Sequence, residues 1–163
     1  MKRGFLNGPY GSIFITKGSE EMVYPVFKNE FKIATTSGSS SLVTIKDLET
    51  FEVSIDGTVE EWTPMDMEGW MRRLMTGKSL SISFSGKRSV GDPGNDYIAE
   101  AAYKTGADAT TQFEWTMVSG TKLSGDVVIN VTKPGGGDST NVDGLEFELM
   151  LDGKPTITPG GGE

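Results

Sequence analysis

The stretch SLSISFSGKR, residues 79–88, alternates strictly: Leu80, Ile82 and Phe84 point one way, Ser79, Ser81, Ser83 and Ser85 the other. Period-two alternation is the pattern of a strand half-buried against a core. Its solvent side is unusual. Exposed sheet faces ordinarily carry Lys, Glu, Thr or Tyr, and this one offers only short neutral hydroxyls.

The same pattern recurs on either side. LVTIKDLETFEVSID (42–56) reads as two strands joined near Lys46-Asp47, the second alternating Phe51, Val53 and Ile55 against Glu52, Ser54 and Asp56. Residues 111–132 read as a hairpin turning at Ser119-Gly120. Its first strand sets Phe113, Trp115 and Met117 against Glu114 and Thr116. Its return puts Leu123, Val127, Ile129 and Val131 inward, and Ser124, Asp126, Val128, Asn130 and Thr132 outward. KPGGGDSTNVDG (133–144) is a loop, and residues 145–153 form a last strand with Leu145, Phe147, Leu149 and Leu151 inward. Upstream, VFKNEFKI (26–33) is a strand or arm with Phe27, Phe31 and Ile33 on one side, followed by the Gly/Ser-rich loop 34–41.

Two segments read as helices. In TPMDMEGWMRRLMTG (63–77), Thr63 can cap and Pro64 suits the first helical position. Met67, Trp70, Met71, Leu74 and Met75 follow helical spacing. Methionines in such a stripe are core filler or an adaptable contact with a neighbouring subunit. GDPGNDYIAEAAYKTG (91–106) reads as a turn and a short Ala-rich helix closed by Gly106. The expected fold is therefore mainly β (α+β), a β-sandwich or partial barrel with one flanking helix and a second short helix.

Composition narrows the function. With 163 residues, 36% of them hydrophobic, the chain can form one domain burying about 68–70% of its unfolded surface. A net charge of -8 argues against DNA or RNA as a tightly bound ligand and against an anionic membrane surface. The absence of Cys and His removes Ser-His-Asp and Cys-His nucleophiles and Cys/His zinc sites. No enzyme, cofactor or metal site is expected. PGGGDST (134–140) lacks the Lys-Ser/Thr and the helix of a phosphate loop. DSTNVDG (138–144) resembles a calcium loop, but Met150 stands where the bidentate Glu is needed. Carboxylates such as Glu60-Glu61, or Asp66 with Glu68, could in principle cleave glycosides, but a solvated face is the better reading.

Pooled, the outward faces of the strands carry Glu52, Asp56, Glu114, Asp126, Glu146 and Glu148 among Ser, Thr and Asn. Lys78, Lys87, Arg88, Lys122 and Lys133 fall at strand ends, and no Lys or Arg lies on those faces. Ordinary soluble sheets intersperse both signs. These faces read as an anionic, short-chained, non-adhesive surface.

The runs EFKIAT, SIDGTVEEWTPMDMEGWMRRLMTGKSLSISFSGKR, VGDPGNDYIAEAAYKTG and VINVTKPGGGDSTNVDGLEFELMLDGKPT resemble, in order over about residues 25–158, the major tail tube proteins of long-tailed bacteriophages of Gram-positive hosts. The resemblance implies a structural subunit of the virion tail, assembled in the host cytoplasm. Such subunits form hexameric rings that stack into a tube conducting genome DNA. The implied partners are other copies of the chain, the tape measure, the tail terminator and the baseplate hub, with DNA only in passage. In that setting Glu52, Ser54, Asp56, Ser79, Ser81, Ser83, Ser85, Glu114, Asp126, Glu146 and Glu148 are candidates for the channel wall. Met67, Trp70, Met71, Leu74 and Met75 are candidates for helix packing or a subunit interface.

The expected organisation is an N-terminal extension (1–24), the β-domain (25–158) and a Gly-rich tail (159–163). The natural start is expected at Met22, because residues 18–21 are encodable by a purine-rich run ahead of its codon. Loop 34–41, the N-terminal arm and the tail are expected to touch neighbouring rings. The competing reading is a ligand- or carbohydrate-binding β-sandwich of a tail tip or baseplate, which would need exposed aromatic side chains.

Overall fold

The computed structural model describes residues 22–36 and 38–161. The expectations for residues 1–21, including a start at Met22, lie outside them. Eight strands and one helix follow in the order β1 (Glu30–Ala34), β2 (Leu42–Thr44), β3 (Leu48–Trp62), β4 (Arg72–Lys87), α1 (Pro93–Ala101), β5 (Thr110–Thr116), β6 (Lys122–Lys133), β7 (Gly144–Leu151) and β8 (Thr156–Thr158). All pairings are antiparallel, in the order β2-β1-β5-β6-β7-β4-β3, with β8 on the N-terminal part of β6. The mainly-β expectation holds as one open sheet. It curls until Phe31 on β1 meets Phe51 on β3 and Phe84 on β4, each with ring centroids 4.8 Å apart.

Alternation builds the core as the sequence requires. Ile82 and Phe84 are buried beside Phe147 and Leu149, Val127 and Ile129 follow on the adjacent β6, and Phe113 and Leu123 complete the same core. Helix α1 packs against β1, β2 and β6, burying Ile98, Ala99 and Ala101. Asp92 caps it by accepting a hydrogen bond from the Asn95 N–H at 2.9 Å, and Pro93 occupies the first turn. Gly94 is obligatory for packing, since a Cβ there would stand 2.7 Å from the Thr44 carbonyl oxygen.

A polar knot holds this helix to the sheet. Asn95 is fully buried; its amide donates to the Lys46 and Lys87 carbonyls, and its oxygen accepts from Ser89 N–H and Arg88. Every polar atom of that side chain is thereby satisfied. Arg88 also pairs with Asp96 at 2.7 Å, and its guanidinium, with the Gly91 N–H, holds that carboxyl below its ordinary value against the opposing effect of desolvation.

Two expectations are corrected. Residues 64–76 are not a helix. Only Met65–Met67 make a single 3-10 turn, ended by Glu68 (φ 51°) and Gly69 (φ 89°) in the left-handed region. Arg72 then opens β4, which pairs with β3 to its end: Trp62 with Arg72, Glu61 with Arg73, Glu60 with Leu74 and Val59 with Met75. A short helix away from a core loses to this arrangement, because its nucleation cost is met by no buried face. The hairpin instead satisfies the backbone and pairs the charges, with Arg73 on Glu61 and Arg72 over the Trp62 ring. The second correction concerns Phe27. It lies exposed in a 3-10 turn (Val26–Lys28) rather than beside Phe31 and Ile33 in the core.

Candidate functional site: a polar sheet face and an apolar arm

Register turns the outward residues of separate strands into one surface. Glu52 on β3 stands opposite Ser83 on β4, which neighbours Glu148 on β7 and then Asn130 on β6. The adjacent row runs Ser54, Ser81, Met150, Val128 and Thr110 across five strands. A third joins Thr50, Ser85 and Glu146, and Asp56 pairs with Ser79 farther out. Asp126 faces Gln112, and Ser124 faces Glu114, extending the surface to β5. All eleven expected wall residues therefore share one face, and none is buried. Cross-strand neighbours on one face lie close enough to act together, so this is one field of mainly hydroxyls and carboxylates, interrupted by Met150 and Val128.

The face is less purely anionic than the strand pattern suggests. Lys122 reaches Glu114 at 3.3 Å and Lys133 reaches Glu146 at 3.7 Å, both from strand ends. Lys32 on β1 lies opposite Glu114 on the same face and pairs with Glu30 at 3.5 Å. Glu52, Asp56, Asp126 and Glu148 make no ion pair among the described residues. Negative charge thus remains concentrated on β3, β6 and β7, with the serines of β4 between β3 and β7.

Opposite in character is the hairpin formed by β3 and β4. Beyond Ile55 and Leu80 it leaves the core, and Ile55, Val59, Trp62, Met65, Met67, Trp70, Met71, Leu74 and Met75 are all exposed. The structure brings the five expected helix-stripe residues together here, on a projecting arm rather than a helix. Trp70 remains 75% exposed. Sequence periodicity missed this element. The available signal was Glu60-Glu61 and Arg72-Arg73 placed to pair across a turn that contains Gly69.

At the base of the arm the curled sheet stays open as a groove of about 810 Å³. Val53, Ile55, Leu80, Trp115, Met117, Leu123, Leu151 and Ile157 supply its apolar wall, with Lys78 and Lys154 also lining it. The loop that resembles a calcium site closes on itself: Asp143 accepts from Gly136 N–H at 3.0 Å and Asp138 from the Asn141 amide at 3.3 Å. Among the described residues no helix is long and apolar enough to cross a membrane.

An open antiparallel sheet with one short helix is a fold found in components of virion tails. Over 83% of its length the chain matches 99% of a chain in the tail of an empty GTA particle computed with helical refinement and C6 symmetry, at a TM-score of 0.65 and 19% identity. A chain of the virion of a native gene transfer agent particle matches over the same shares, at a TM-score of 0.63 and 18% identity. The anti-feeding prophage cap, a tube-terminating cap, matches 90% of this chain and 99% of its own at 0.54 and 14%. No protein-family model and no curated protein matches the sequence.

Proposed function

We propose that this chain is the structural subunit of a bacteriophage tail tube, carried in the virion and assembled in the host cytoplasm. Copies associate into hexameric rings, the rings stack, and the polar face lines the channel through which genome DNA leaves. The observation that carries this reading is the single surface spanning β3, β4, β7 and β6, built from serines and carboxylates with no arginine on it. A wall of that kind repels phosphates toward the axis, and the lysines that reach it, Lys32, Lys122 and Lys133, are each paired with a carboxylate. The C6 symmetry of the GTA tail supports six subunits per ring. The phages of Gram-positive hosts enter through the sequence resemblance alone.

The assembly contacts follow from what the isolated subunit leaves unpaired. β3 stands at one end of the sheet and β2 at the other, so both present free backbone edges to neighbours. The arm adds apolar area that a soluble monomer ordinarily avoids exposing. A neighbouring subunit covers it. The remaining partners, tape measure, terminator and baseplate hub, meet the ends of the stack.

Negative-stain electron microscopy of the purified chain tests the proposal. Rings or tubes about a central channel are the expected result. A monomer at every concentration that binds glycans would replace it with a carbohydrate-binding module.

A further inference from the structure

Four of the eight methionines, Met65, Met67, Met71 and Met75, fall on the arm, and all four are exposed. Met65 is completely so. Thioethers normally fill cores, and these touch none. Met75 lies across the β3 backbone, where a Cβ on Gly57 would stand 2.8 Å from its sulfur. Met117, by contrast, is half-buried in the sheet. The chain has no cysteine, so no thiol competes for an oxidant that reaches the subunit.

We infer that the arm is a methionine-sulfoxide site, and that its oxidation in the free subunit blocks assembly. The thioether sulfur attacks one oxygen of hydrogen peroxide. The O–O bond breaks, an S–O bond forms, and the proton on the attacked oxygen passes to the departing hydroxide, which leaves as water. Sulfur loses two electrons and the peroxide gains them. The product replaces an adaptable apolar group with a polar sulfoxide, which a dry subunit contact must then desolvate. Thiol-dependent methionine sulfoxide reductases reverse the step, returning the oxygen as water and leaving a disulfide on the reducing thiols. Once a neighbour covers the arm, the same sulfurs are shielded. The free subunit is the sensitive form and the finished tube the resistant one. The site rests on exposure alone; the block to assembly rests on the tube reading above.

The test treats the soluble full chain with hydrogen peroxide, maps oxygen uptake by peptide mass spectrometry and follows polymer by sedimentation. Uptake is expected at Met65, Met67, Met71 and Met75 ahead of Met117, with the circular dichroism of the sheet unchanged. Polymer formation should fall about tenfold or more, the effect of one unsatisfied polar group in a contact, and reductases acting on both sulfoxide epimers should restore it. A chain with M65L, M67L, M71L and M75L retains Met1, Met22, Met117 and Met150, and should polymerise equally with and without peroxide. Should that variant fail to polymerise, reductase rescue of the parent decides. Uptake at Met117 with the arm spared overturns the site. Full oxidation of the arm with undiminished polymer, or loss that reductase leaves in place, overturns the block. If the untreated chain forms no polymer, the tube reading fails while the oxygen map still judges the site.

Discussion

Trp70→Ala separates an arm that serves assembly from one that serves folding. The ring keeps 75% of its surface exposed, so about a quarter is hidden in the isolated subunit. A tryptophan side chain buries roughly 150–250 Å² when covered, which leaves about 40–60 Å² at stake. At about 25 cal/mol per Å² the loss is about 1–1.5 kcal/mol, an upper bound because the unfolded chain also hides some surface. Phe84→Ala is the comparison. That ring is 3% exposed and stacks on Phe147 with centroids 4.9 Å apart, so its removal should cost about 3–5 kcal/mol. Urea unfolding of the two variants should therefore differ by at least about 1.5 kcal/mol. Sedimentation should show the opposite order of interest: Trp70→Ala stays folded yet polymerises poorly. A loss near 3 kcal/mol at Trp70 would mean that the arm folds onto the body. Normal stability combined with normal tubes would remove the arm tip from the subunit contacts.

Ser83→Arg places a base between Glu52 and Glu148; the subunit should fold and form tubes, but genome ejection from particles carrying it should slow, and an unchanged rate would take β4 off the channel wall. Asn95→Leu strips partners from the Lys46 and Lys87 carbonyls and the Ser89 N–H, so denaturant unfolding should show a loss of about 2 kcal/mol or more. Asp96, depressed first by its hydrogen bond from Arg88, contributes stability that is present above its unfolded-state value and lost as pH falls through the lower folded-state value. Thermal midpoints measured from neutral pH down through the carboxylate range should fall less steeply for Asp96→Asn than for the parent chain.

Much of this molecule is legible from local pattern. Side-chain direction in a strand alternates regardless of what lies beyond it, so SLSISFSGKR announced its buried and exposed faces, and residues 145–151 did the same. A short helix was expected within 91–106 and lies there, begun by Asp92 and Pro93, but it ends at Ala101, and Gly106 opens a separate 3-10 turn rather than closing it. The serine and carboxylate candidates came from the same rule. That they form one surface required the register of β3, β4, β7 and β6, which joins residues far apart in the chain. Register also brought Lys122 and Lys133 onto two of the acids, a pairing no strand pattern contains.

The arm shows where local reading stops. Met67, Trp70, Met71, Leu74 and Met75 fit a helical stripe, yet a stripe stabilises a helix only where a surface receives it. Pairing with residues 57–62 gave residues 72–78 backbone partners from outside the segment and carried it away from the core. The amino-acid sequence by itself determined which way each strand's side chains point and that a short helix falls within residues 91–106. Which strands adjoin, and where the hairpin leaves the body, only the tertiary structure decided, because those outcomes depend on hydrogen bonds and burial contributed by distant parts of the chain.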